Sequence, residues 1–253
     1  MKRPARPEDA AEMPFSGHLQ EFRSRLITSF FILIFFAGVS FYFSETLLVW
    51  LKRPLETELI FLSPAEAFWA DLKISLFVGF LCAFPVILYE IWRFVSPGLL
   101  PHERGAFLPF LVFGIGFFFL GLAFSYFLAL PFALQFLINY GRESGLTPRI
   151  SVSMYIDFNL RLLLASGFIF ELPLVMILLA KFGLLTPEAL VKNRKYAVIG
   201  AFVIAAVVTP TPDIFNQLMM AVPLLFLYEV GIVAVRLFGG RRGLSPQKEP
   251  EGN

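Results

Sequence analysis

The segment Leu162–Ala180, LLLASGFIFELPLVMILLA, decides the interpretation of this chain. Its length is sufficient for one helix to cross the hydrocarbon core of a bilayer. Glu171 lies at its midpoint, where a carboxylate costs about 2.5–3.5 kcal/mol on insertion scales, so it is expected to face protein or a wet cavity. Pro173 removes a backbone donor and predicts a kink beside the acid. A functional acid and a protonated glutamate that bonds a neighbouring helix both fit this pattern.

The composition predicts a polytopic membrane protein of the all-α class. Of 253 residues, 57% are hydrophobic and 16% are charged, whereas soluble domains have about 25% charged residues. A net charge of only +2 does not suggest a nucleic-acid partner. One cysteine, two distant histidines and no GxxxxGK[ST] sequence argue against a metal site and an ATPase. We therefore expect no cofactor, no bound metal and no enzymatic activity.

Apolar runs along the chain predict six transmembrane helices. The fifth and sixth have about 12 and 15 apolar residues, which predicts a short antiparallel pair that thins the bilayer locally. The predicted spans are Leu26–Phe43, Ile74–Tyr89, Ala106–Gly141, Met154–Ala180, Ala197–Val208 and Ile214–Tyr228.

Two of the predicted segments have special features. The third uncharged run would form a helix about 54 Å long, so Pro131 is expected to mark its end or a bend. The segment between the first two spans is too polar to cross a membrane, and Pro54 and Pro64 predict a structured loop there. In the fourth helix, Asp157 and Arg161 are spaced i, i+4, which predicts a pair on the helix surface.

The chain is predicted to form one membrane domain, residues 15–238, between a flexible tail at 1–14 and a disordered tail at 239–253. Apolar residues at i, i+4, i+7 and i+11 from Phe15 predict an amphipathic interfacial helix that leads into the first span. Six spans place both tails on one side. That side carries 15 of the 21 lysines and arginines and the other side 5, so both tails are predicted to be cytoplasmic.

Three acids and one amide lie near the predicted membrane surface. Glu21 could form a salt bridge with Arg25, and Glu103 could compensate the dipole of a first helical turn. Asp213 could cap the last helix. Gln217, one turn further on, is costly in lipid and should face protein. Each residue therefore has a structural interpretation besides a functional one.

Six segments in register resemble the TatC family, the core membrane subunit of the twin-arginine protein translocase. The resemblance extends from about Ser16 to Leu237, although Gly105 replaces a frequent basic residue and the Thr209–Asp213 turn is one residue longer than usual. The segments are HLQEFR at 18–23, FLSP at 61–64, FPVILY at 84–89, PHER at 101–104, FELP at 170–173 and PDIFNQ at 212–217.

The resemblance implies a receptor in the cytoplasmic membrane for the twin-arginine signal peptides of folded proteins. It also implies that the proton gradient drives export and that single-span TatA- and TatB-type subunits are partners. The fold it implies is a cupped helix bundle with Glu171 on its concave face. The resemblance is compatible with a homo-oligomer in the complex. The residues implied in signal-peptide binding are Glu21, Glu103, His18, Leu19, Arg23, His102 and Arg104, and those expected at partner docking are Asp213, Gln217 and Thr209.

Two other functional classes are compatible with the residues alone. A proton- or ion-coupled secondary transporter would use Glu171 as its carrier site, although no internal repeat of the kind such folds use is visible. A structural scaffold for other membrane subunits is the third class. Binding of an isolated peptide that contains the arginine pair would separate the receptor from both.

Overall fold

A computed structural model describes residues 15–55, 57–96, 107–143, 145–209 and 213–238, with the backbone alone for 15–18. The chain is helical through nearly all of these residues, which confirms the predicted all-α polytopic class. The predicted tails, 1–14 and 239–253, lie outside the described residues. The elements are α1 Phe15–Phe41, α2 Ser44–Lys52, β1 Leu59–Ile60, α3 Glu66–Val95, α4 Phe107–Phe124, a π-helical turn Ser125–Ala129, α5 Leu130–Glu143, β2 Ile150–Ser151, α6 Val152–Phe170, α7 Leu172–Lys181, α8 Pro187–Lys192, α9 Arg194–Val208 and α10 Ile214–Phe238.

Within the described residues, five helical stretches are long and apolar enough to cross a membrane: Leu19–Phe41, Glu66–Val95, Phe107–Glu143, Val152–Lys181 and Ile214–Phe238. Helix α9, of 15 residues, lies at the place of the predicted short fifth span. Helix α10 has 25 residues and is longer than the predicted Ile214–Tyr228. Glu229 does not end it, because its carboxylate accepts a hydrogen bond from Arg194 (2.6 Å) and the apolar sequence then resumes.

Helix α1 is continuous, so the predicted interfacial helix forms its first turns and is not a separate element. It packs antiparallel against α3, because Phe22 contacts Phe94 at one end and Phe41 contacts Phe68 at the other. Between these ends the two backbones approach closely. A Cβ built at Gly79 would lie 2.6 Å from the Cα of Ala37, so only glycine fits this contact.

The third span does not end at Pro131. Helix α4 continues through the π-helical turn into α5, giving an uninterrupted stretch from Phe107 to Glu143. Pro131 cannot donate a backbone hydrogen bond and crowds the preceding turn. The wider π-helical turn lies immediately before it, which is where the helix can accommodate such a defect.

The fourth span is broken beside its acid, as Pro173 predicts. Helix α6 ends at Phe170, Glu171 forms a turn, and α7 begins at Leu172 with the proline in its first turn. Proline is well tolerated there because its missing N–H has no helical partner at that position. The break therefore places Glu171 between two helices of the same span.

The loops opposite the α1 N-terminus are joined by one buried acid. The Glu66 carboxylate accepts hydrogen bonds from the backbone N–H groups of Leu62 (2.6 Å) and Ser153 (2.8 Å) and from the Ser151 hydroxyl. Strands β1 and β2 pair in parallel beside it. Pro54 and Pro64 lie in turns of this region, in agreement with the predicted structured loop.

Candidate functional site

A cluster of three charged side chains joins the first turns of α1 to the last turns of α3. The Arg25 guanidinium forms an ion pair with Glu21 one turn earlier, and its Nη1 donates to Glu90 Oε2 at 2.9 Å. The side chains of Arg25 and Glu90 are 14% and 13% exposed. This arrangement confirms the structural interpretation of Glu21, a salt bridge with Arg25, and adds Glu90.

Aromatic packing supports this cluster from the side. The rings of Phe22 and Phe94, each close in sequence to one of the acids, lie 5.5 Å apart between centroids. Leu19 and Arg23 of the predicted peptide-binding set are exposed on α1. The surface around Glu21 thus combines a half-buried carboxylate with an accessible apolar and a basic side chain.

Several predicted site residues lie outside the described residues. These are His102, Glu103 and Arg104, and for His18 only the backbone, within α1, is described. The convergence of Glu21 and Glu103 on one peptide therefore stays a prediction. The sequence pattern indicates Glu90 only as part of an interface anchor at the end of the second span, without a partner.

Glu171 is buried within the membrane domain, with 8% of its surface exposed. Its Oε1 atom has no hydrogen-bond partner among the residues that the structure describes. The structural alternative, a glutamate bonded to a neighbouring helix, requires such a partner. The contacts of this oxygen among the described residues therefore do not support a glutamate that joins two helices, and an acid that faces protein in the membrane is by default a candidate functional residue.

The residues predicted to dock partner subunits are held within the α9–α10 hairpin. Gln217 Nε2 donates to the Phe202 carbonyl at 3.0 Å, and the Thr209 hydroxyl donates to the Ala205 carbonyl at 2.8 Å. Asp213 Oδ1 accepts from the N–H of residue 216 at 2.7 Å, so its predicted capping role is confirmed. These bonds fix the hairpin geometry, and Gln217 faces protein as its polarity predicts.

The predicted pair between Asp157 and Arg161 is wrong. Lys73 Nζ of α3 donates to both Asp157 carboxylate oxygens, at 2.7 and 2.9 Å, whereas Arg161 is exposed on α6. The contact between α3 and α6 places an ammonium near the acid, and one sequence cannot show that contact. The pair joins two spans near the end of the domain that carries Glu66.

No group of three or more metal-ligating side chains occurs in the part of the chain that the structure describes. The long apolar helices and the buried intramembrane acid define a polytopic membrane protein. Its charged cluster forms a polar site at one membrane surface, where α1 begins and α3 ends. Such a site suits recognition of a charged ligand at the membrane surface.

The chain belongs to the TatC family. A family profile described as Sec-independent protein translocase protein (TatC) matches residues 17–223. The chain is 47% identical over 231 residues to the TatC protein of Aquifex aeolicus, covering 89% of this chain and 95% of that protein. It is 40% identical to that of Desulforapulum autotrophicum, with coverage of 94% and 90%.

A solved structure agrees with this assignment. The crystal structure of a twin-arginine translocase receptor, TatC, superimposes with a TM-score of 0.77 at 45% identity, covering 88% of this chain and all of that chain. The chain is therefore a component of a protein translocase and not an enzyme, and the assignment disfavours the alternative of an ion-coupled transporter.

Proposed function

We propose that this protein is the signal-peptide receptor of a twin-arginine translocase, with Glu21 as one of its arginine-binding carboxylates. The observation that carries the proposal is the cluster at the start of α1, where Glu21 already holds a guanidinium, that of Arg25. A carboxylate pairs with a guanidinium through two parallel hydrogen bonds, and a lysine ammonium cannot reproduce this geometry. The site is therefore suited to an arginine-containing ligand.

Glu103 is the second carboxylate of the proposal, and each acid holds one arginine of the pair. His102 and Arg104 flank it in sequence, while His18, Leu19 and Arg23 flank Glu21. The proposal also places both ends of the chain in the cytoplasm, because lysine and arginine are concentrated on that side. Glu21 then meets the peptide before translocation begins.

Partner subunits of the TatA and TatB type are proposed to dock at the α9–α10 hairpin. Ile199, Val203 and Val207 recur every fourth residue of α9 and are all exposed, which forms an apolar stripe beside Thr209 and Gln217. Helix α9 spans only about 23 Å, so the bilayer next to it must thin or be covered by other helices. Docked single-span helices would cover this stripe, and export would draw its energy from the proton gradient.

Site-specific photocrosslinking tests the proposal. A photoreactive residue at position 20, which is exposed on α1 next to Glu21, should crosslink to a signal peptide that carries the arginine pair, and less to one with paired lysines. Position 58, exposed in the loop at the opposite end of the domain, is the matched control. Equal crosslinking from positions 20 and 58 would refute the assignment of Glu21 to the peptide site.

A further inference from the structure

The cluster around Arg25 contains one guanidinium and two carboxylates from different helices. Arg25 directs one terminal nitrogen to Glu21 on its own helix and the other to Glu90 on α3. The fixed fork of a guanidinium allows such a bridge, whereas an ammonium acts as a single point charge. These three side chains together carry a formal charge of −1, so the cluster holds one more carboxylate than guanidinium.

We propose that Arg25 is an internal competitor that occupies the arginine-binding site, and that Glu90 is a further binding residue for the signal peptide. The inference rests on the proposed receptor function. An incoming peptide arginine displaces the Arg25 guanidinium and takes its place between Glu21 and Glu90. The displaced side chain, one turn beyond Glu21 on α1, moves toward the cytoplasmic surface.

The packing of the two helices keeps the site ready while this exchange takes place. Besides the ion bridge, the Phe22–Phe94 contact and the close approach of Gly79 to Ala37 pack α1 against α3. Glu21 and Glu90 therefore keep the separation that one guanidinium bridges when Arg25 leaves. A site that is preorganised in this way loses little free energy when it orders a ligand.

Competition predicts a measurable effect on affinity. The apparent dissociation constant rises by the inverse of the fraction of molecules in which the site is open. If Arg25 leaves the site open in roughly one molecule in ten, its removal tightens peptide binding about tenfold, or about 1.4 kcal/mol. Glu90 holds Arg25 as well as the incoming arginine, so its effect on the peptide is separated in the Arg25→Gln background, where no competitor remains. There, removal of Glu90 should weaken binding about fivefold or more, because one arm of the guanidinium bridge is lost.

The experiment is a titration of full-length, detergent-purified protein with a labelled twin-arginine peptide and with its twin-lysine counterpart. The variants are Arg25→Gln and the double variant Arg25→Gln/Glu90→Gln, and the matched control is Arg194→Gln. Arg194 makes a similar ion pair with Glu229, but both side chains are about half exposed and belong to α9 and α10. The control should bind like wild type.

The expected result is that Arg25→Gln binds the peptide more tightly than wild type and that the double variant binds it more weakly than Arg25→Gln. All three proteins should still prefer the twin-arginine peptide to the twin-lysine peptide. If Arg25→Gln binds the peptide no more tightly than wild type, and wild type still prefers the twin-arginine peptide, the competitor role of Arg25 is overturned and the proposed receptor function stands. No preference in wild type would instead overturn the proposed function. If Arg25→Gln does not give folded protein, Arg25→Lys replaces it, and it should bind severalfold tighter because an ammonium bridges the acids less well.

Discussion

Replacement of Gly79 by alanine should open the contact between α1 and α3 and destabilise the protein. A Cβ at this position would lie 2.5 to 2.6 Å from backbone atoms of Ala37, and ordinary contacts of this kind are about 1 Å longer. Backbone atoms cannot rotate away as a flexible side chain can, so the helices must separate. Overpacking of this kind costs about 1–3 kcal/mol, and the rigid neighbour places Gly79→Ala near the upper end.

Gly38→Ala is the matched control, because Gly38 is next to Ala37 in sequence but a Cβ added there would have no atom within 4 Å. It should be neutral or stabilising by up to about 1 kcal/mol, since alanine favours a helix over glycine. The two variants should differ by about 2–4 kcal/mol, so their unfolding temperatures in detergent should differ by roughly 4–16 °C at 2–4 °C per kcal/mol. Equal unfolding temperatures for the two variants would refute the reasoning from close helix packing.

Three further outcomes follow from buried or paired acids. Glu66→Ala should lower the unfolding temperature by several degrees, because the buried Glu66 carboxylate accepts hydrogen bonds from the backbone N–H groups of Leu62 and Ser153. Glu58→Ala, at an exposed acid of the preceding loop, should leave the unfolding temperature unchanged. Asp157→Asn should lower the unfolding temperature more than Arg161→Gln, because Asp157 forms an ion pair with Lys73 of α3. A larger loss for Arg161→Gln would contradict the structure. Glu171→Gln should retain most export of a reporter cargo, because glutamine preserves the shape of the side chain and its hydrogen-bonding capacity. Complete loss of export at normal protein levels would show that the acid must titrate.

The spans and the break beside Glu171 were predictable because their physical causes are local. Long uncharged runs define membrane helices, and a proline after an acid predicts an interruption. Asp213 was likewise predictable as a cap, because capping depends on a few adjacent residues. The length of α10 was not predictable, because Glu229 is tolerated within the helix through its ion pair with Arg194, a residue of α9.

Glu90 and Lys73 could not be assigned their partners, because those contacts depend on how distant helices pack. Arg25 and Glu90 are 65 residues apart, and Lys73 and Asp157 are 84 apart. One signal could have helped with the first pair. The antiparallel register that sets Ala37 against Gly79 also brings Arg25 within one residue of Glu90. Small residues on two predicted spans can therefore indicate which charged residues meet.

The most direct test of the receptor function is a binding titration of a labelled twin-arginine peptide to detergent-purified protein. Wild type is compared with Glu21→Gln, Glu103→Gln and the double variant, each first shown to unfold at a normal temperature. Charge-assisted hydrogen bonds contribute about 1.5–3 kcal/mol each, so either single variant should weaken binding by about one to two decades. Replacement of the peptide arginines by lysines should also weaken it. Wild-type affinity in the double variant would contradict the assignment of this protein as the signal-peptide receptor.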